Sequence, residues 1–278
     1  MSTYYSGLFA DIGILTLGAL SVYVILATNQ LSLGNAGFMS IGGYVASFFT
    51  VELHWPLTPA LVVAALLACV IGVIVGFPAL RLKGIYLAVA TLGFGEMVRS
   101  FFLVFSPLGG SGGYRGMPHI TVGYIWAWVI AALIVVSVLE HSRLWLDMRA
   151  IHDDEAAAAL VGVDTTLTKV GAFGCGAAVA AIAGGLFAHH YVYIEPANFG
   201  FERSIEFVLA VIFGGSTIGI GSMIGAAFLV LLPEWLRVVA DWRLAAFGTM
   251  LILILLVRRQ GILDRPLLAR LALWGKMS

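Results

Sequence analysis

Apolar residues run in long blocks along this chain, separated by short breaks that are polar, basic or rich in glycine. About twenty helical residues cross a hydrocarbon core, so the blocks predict membrane spans at 9–27, 36–51, 57–77, 84–105, 121–139, 168–191 and 244–257. The first block contains Asp11 and has no basic residue before it, which reads as a span rather than a cleavable leader. The stretch 204–232 is also apolar, but Gly214-Gly215-Ser216 interrupts it.

Basic residues orient the array. Arg81 and Lys83, then Arg143 and Arg149, then Arg258, Arg259, Arg265, Arg270 and Lys276 are expected on the cytoplasmic side. Counting spans between these anchors puts the N-terminus outside, 28–35 inside, and the loops 106–120 and 192–203 outside. This parity requires 204–232 to enter and leave on one side. Two full crossings need ~60 Å of helix axis, and this stretch supplies only ~45 Å. Two half-spans meeting near Gly214-Gly215-Ser216 satisfy both limits, and such breaks are tolerated where free backbone groups meet protein or a water-filled path.

Composition agrees with the pattern. The chain has 278 residues, 61% of them apolar and 11% charged, far from the balance of a soluble domain. Lys plus Arg and Asp plus Glu are equal at 15, so there is no basic field for nucleic acid. Cys69 and Cys175 lie in apolar stretches and read as packing residues. No metal-ligand spacing, nucleophile elbow or paired-carboxylate motif is present, so the expectation is an all-α polytopic membrane protein with no catalytic residue, cofactor or metal.

Polar residues inside apolar surroundings are the candidates for function. Asn29, Gln30, Ser32 and Asn35 lie between two spans, where they cap helix ends, pair with backbone or reach a pathway. Thr91, Gly93 and Glu96 lie within the fourth span, where Glu96 either pairs with Arg99 one turn on or serves a solute. Gly214, Gly215 and Ser216 mark the break. Ala177, Ala181 and Gly185, like Gly221 and Gly225, recur at the spacing of close helix contacts. The glycine-rich segment 108–116 lacks the Gly-Lys-Ser ending of a phosphate cradle and reads as a shaped external loop. Between spans five and six, four alanines follow an acidic start and Gly162 closes the run, which predicts a short cytoplasmic helix fit to act as a lever.

Three segments carry a resemblance to a known family. Residues 29–44, residues 80–96 and the ending Arg258-Arg259-Gln260-Gly261-Ile262-Leu263 are similar to signatures of branched-chain amino acid ABC importer permeases. The loop from Arg149 to Asp164 most resembles the second of two homologous permease subunits. The resemblance implies the ABC importer permease fold of about 7–9 transmembrane or re-entrant helices in one domain over 1–278, with a coupling loop at 143–166. It also implies a prokaryotic plasma membrane and four kinds of partner: a homologous second permease, two cytoplasmic ATPases, an external solute-binding protein and the lipid bilayer. On this reading Asp154, Glu155, Ala158 and Gly162 contact the ATPase, although Gly162 stands one residue further from Glu155 than in the general importer element. The chain starts close to the family's conserved core, whereas many members carry extra spans before it. Urea, short amides or another small organic solute are alternative cargoes within the family. An ion-coupled secondary transporter and a purely anchoring subunit are the alternatives outside it.

Overall fold

The computed structural model describes residues 2–79, 81–82 and 84–235. The expected span 244–257, Lys83 and the basic tail from Arg258 lie outside the described residues. Ten α-helices are described: α1 (Ser2–Leu26), α2 (Asn35–Val51), α3 (Leu57–Ala79), α4 (Ile85–Val104), α5 (Val122–Glu140), α6 (Arg143–Asp153), α7 (Glu155–Leu160), α8 (Thr165–Tyr191), α9 (Phe201–Gly214) and α10 (Gly219–Trp235). Five of them, α1, α3, α4, α5 and α8, are long and apolar enough to cross a membrane. The pair α9 and α10 meets that test jointly but is bent by 115° at the predicted break. Helix α2, at 17 residues, is slightly short for a full crossing.

Helices α1 and α8 form the centre, and α2 and α3 pack on α8. Close approach depends on small residues: a methyl group on Gly42 would overlap the backbone of Ala181, and one on Gly184 would overlap the carbonyl of Met39. Without a hydrophobic drive between helices in lipid, this fit and its dispersion energy hold the bundle. Helices α4 and α5 sit at the edge, with wide apolar faces exposed.

Two ends can be distinguished. At one, Tyr114–Arg115 (β1) pairs antiparallel with Tyr193–Ile194 (β2), tying together the loops expected outside. The Tyr114 hydroxyl donates to Glu52 at 3.0 Å, and the Arg115 guanidinium lies 4.9 Å from the Tyr193 ring centre. Burial, reinforced by the Glu52 carboxylate, pushes the Tyr114 phenol up to about 12. The Tyr193 phenol is raised chiefly by its hydrogen bond to Glu195.

At the other end lie the segment 27–34, helices α6 and α7, and the turn between α9 and α10. The expected short cytoplasmic helix, from its acidic start to Gly162, is α7, and a further helix, α6, precedes it. Asp154 leaves helical geometry and its carboxylate accepts from the Ala156 and Ala157 amides, so it starts α7 while ending α6. A capping acid satisfies amides that have no partner within the helix, which favours the break over continuation.

Candidate functional site

The predicted polar residues fall into groups along the bundle. Asn29 is exposed with φ +58°, whereas Gln30 and Ser32 are buried. Gln30 accepts from the Thr28 hydroxyl at 3.1 Å, and the Ser32 hydroxyl oxygen accepts from the Gly34 amide at 3.2 Å. The Leu33 amide donates to the Thr91 hydroxyl at 3.0 Å, which fastens this segment to α4. Asn35 donates to Ser21 at 2.8 Å, and the next amide, that of Ala36, donates to Ser204 of α9 at 3.2 Å. The segment thus stitches α1, α4 and α9 together, and among the described residues the buried Asn35 Oδ1 has no partner.

Glu96 pairs with Arg99, Oε2 to Nε 2.8 Å, with both side chains about two-fifths exposed. They open onto a cleft of about 490 Å³ between α4 and α9, lined also by Asn198, Glu202, Arg203 and Glu206. Arg203 is itself 2.8 Å from Glu206. Three carboxylates against two guanidiniums leave one net negative charge in the cleft. Charges on the faces of membrane helices are costly against lipid and are placed toward protein or water. Glu202, Arg203 and Glu206 escaped the sequence reading. Their signal was acid and base at three- and four-residue spacing at the head of an apolar run.

Gly93 and Gly95 differ. Nothing lies near Gly93, which is exposed, whereas Gly95 packs on Gly34 and Gly37 and permits the close contact of α4 with α2. Gly214, Gly215 and Ser216 lie at the far end of α9 from the charged cleft. Gly215 has φ +104°, a conformation that favours glycine, and a methyl group on Gly214 would overlap the Gly221 carbonyl. Ser216 is exposed beside Trp145, Arg149 and His152. Ser216 and the 28–30 segment therefore flank His152, while Glu96 stands apart from both.

On α7, Asp154 is the cap and Ala158 is buried. Glu155 pairs with Lys169 of α8 at 2.5 Å, and Gly162 takes φ +89° just beyond the helix. The outward surface is instead Leu160 and Val161, 89% and 79% exposed, beside the exposed Leu167. These side chains are left uncovered by the other described residues. Only their position after four alanines could have pointed to them in sequence.

Residues 4–257 match the family model described as "Branched-chain amino acid transport system / permease component". The chain is 29% identical over 298 residues to the high-affinity branched-chain amino acid transport system permease protein LivM of Escherichia coli, covering 91% of this chain and 69% of the relative. It is 31% identical over 276 residues to LivM of Salmonella typhimurium, covering 86% and 65%. The permease protein LivH of Escherichia coli is 32% identical over 147 residues, which cover 51% of this chain and 47% of LivH. The chain thus spans about two thirds of the length of the LivM relatives. No solved structure matches.

Proposed function

Because this chain belongs to the branched-chain amino acid transport system permease family, we propose that it is the membrane-spanning subunit of an ATP-driven importer that admits branched-chain or related amino acids by alternating access. It acts in the plasma membrane of a prokaryote, as one transmembrane permease domain over 1–278 with its coupling loop at 143–166. A second permease, two ATPases beneath and a solute-binding protein outside complete the assembly.

The observation that carries this reading is the α4–α9 cleft. Glu96, Arg99, Glu202, Arg203 and Glu206 bring both signs of charge to the exposed faces of two helices in an otherwise apolar bundle. Such a lining needs water or protein before it, which the interface with a second permease supplies. It holds groups of both signs, as a zwitterion needs and a neutral amide does not, and the solute would exchange with the Arg99–Glu96 and Arg203–Glu206 pairs. The cleft lies toward the β1–β2 end, where the loops tied by Tyr114 and Tyr193 offer one platform for the loaded binding protein. The other predicted path residues, Asn29, Gln30, Ser32, Asn35, Thr91, Gly93 and the break at Gly214, Gly215 and Ser216, gate or line the inner part.

The bent pair accounts for topology. With α6 and α7 on the cytoplasmic face, the turn 215–218 reaches that face from α9, and α10 leads back. Among the described residues this reading has six full or nearly full crossings, α1 to α5 and α8, plus the α9–α10 hairpin. ATPases grip Leu160 and Val161, with Asp154, Glu155, Ala158 and Gly162 setting the shape of the knob.

The test is uptake of labelled leucine into vesicles holding the complete importer. Uptake should require ATP inside the vesicle, beside the ATPases, and binding protein outside. Uptake by this chain alone, driven by an ion gradient, would instead assign it to secondary transport.

A further inference from the structure

Glu140, at the end of α5, lies where three elements meet. Its Oε1 accepts from the Tyr23 hydroxyl of α1 at 2.5 Å and from the Gly219 amide of α10 at 2.7 Å. Gly219 is the first residue of α10, whose opening amides have no acceptor within the helix, and a carboxylate is favoured at that positive end. Glu140 therefore caps α10 from a different helix. A second tie lies beside it, where Arg149 of α6 donates from Nη2 to the Thr217 carbonyl at 3.4 Å.

The two ties share one base. Only His141 and Ser142 separate α5 from α6, and the Ser142 hydroxyl donates to the Leu139 carbonyl at 2.6 Å. The same oxygen accepts from the Trp145 amide, so the corner is held from both sides. Trp145 is buried against Tyr23, ring centres 5.4 Å apart. The turn is closely packed where Gly214 meets Gly221. Force on α7 enters α6 and reaches the turn at two points. Helix α9 leads from that turn to the charged cleft.

We propose that Glu140 and Arg149 are positioning residues that fasten the α9–α10 turn to the cytoplasmic helices, so that a displacement of α6 and α7 moves α9 and reshapes the cleft. This rests on the ATPase-docking reading of α7. Each acts through the turn.

The experiment uses the complete importer in vesicles, measuring ATP hydrolysis and leucine uptake in parallel. Glu140→Ala should lower uptake per ATP hydrolysed about fivefold to tenfold, and Arg149→Ala about threefold through its longer bond, with hydrolysis within about twofold of the parent. Glu140→Gln, which keeps an acceptor for Gly219 and Tyr23, should restore most of the coupling. A second measurement avoids reliance on these variants folding. In a background carrying Cys69→Ala and Cys175→Ala, Arg149→Cys and Thr217→Cys are joined by a short bismaleimide, and the bridge should raise coupling above that of the unbridged pair. Equal coupling in Glu140→Ala and the parent, or loss of uptake on bridging, would overturn the proposal. Failure of the importer reading is separate, since the parent complex would then show no ATP-dependent uptake at all.

Discussion

Glu96 and Arg99 are half-exposed neighbours on one helix, so their pairing contributes little to stability, about 0.2–1 kcal/mol at most. Arg99→Gln should therefore leave the melting temperature of the subunit nearly unchanged. Uptake by the complete importer should nevertheless fall severalfold, because the cleft loses one of its two positive charges. Parallel melting and uptake measurements check this. Wild-type uptake in Arg99→Gln would remove the cleft from the path. Tyr114 behaves oppositely. It is buried and bound to Glu52, so Tyr114→Phe should cost about 1 kcal/mol at neutral pH. Because the folded phenol is raised to about 12 from its ordinary 10.0, its contribution is fully present below pH 10 and disappears as pH rises through 12. Denaturant melting of parent and variant between pH 7 and pH 12 should show the difference shrinking only above pH 10.

At the scale of elements, two glycines invite contrary outcomes. Gly93→Ala meets open space and improves helix propensity, so the isolated subunit should keep or gain up to about 1 kcal/mol of stability. Gly214→Ala forces a methyl group into the Gly221 carbonyl and should cost about 1–3 kcal/mol, read as lower thermal stability in detergent. On α7, Leu160→Asp should leave stability within about 0.5 kcal/mol because the side chain is exposed, yet abolish co-purification of the ATPases. Retained co-purification would move the docking surface elsewhere on 143–166.

These elements also divide what was legible in sequence from what was not. Apolar block length locates the spans, and two adjacent glycines within such a block locate the bend, because both signals are local. The acids before the alanine run were legible as the start of α7, because a capping carboxylate is a local signal, whereas the preceding α6 was not expected. The α4–α9 cleft and the Glu140–Gly219 bond join residues far apart in the chain, and no local pattern specifies which helices become neighbours. Of the predicted polar residues, Glu96 opens onto a cleft and Ser216 onto another, whereas Gln30 and Ser32 are occupied in bonds within their own segment and Thr91 holds that segment through the Leu33 amide.

Across the whole molecule, α9 connects two polar regions at opposite ends of the bundle. Its first turns face the charged cleft near the β1–β2 platform, and the turn that follows it, with the first residue of α10, meets the α5–α6 corner. In the proposed coupling the hairpin is the part that responds to ATP, while α1 and α8 form the packed centre. The most direct test labels cysteines from both sides of vesicles of known orientation that hold the complete importer, with Cys69→Ala and Cys175→Ala as background. Glu206→Cys should react with an impermeant maleimide from the external side, and Ser216→Cys from the cytoplasmic side. ATP binding should change the reactivity of the first. Labelling of both positions from one side, or an unchanged rate at 206 through the ATP cycle, would contradict the account.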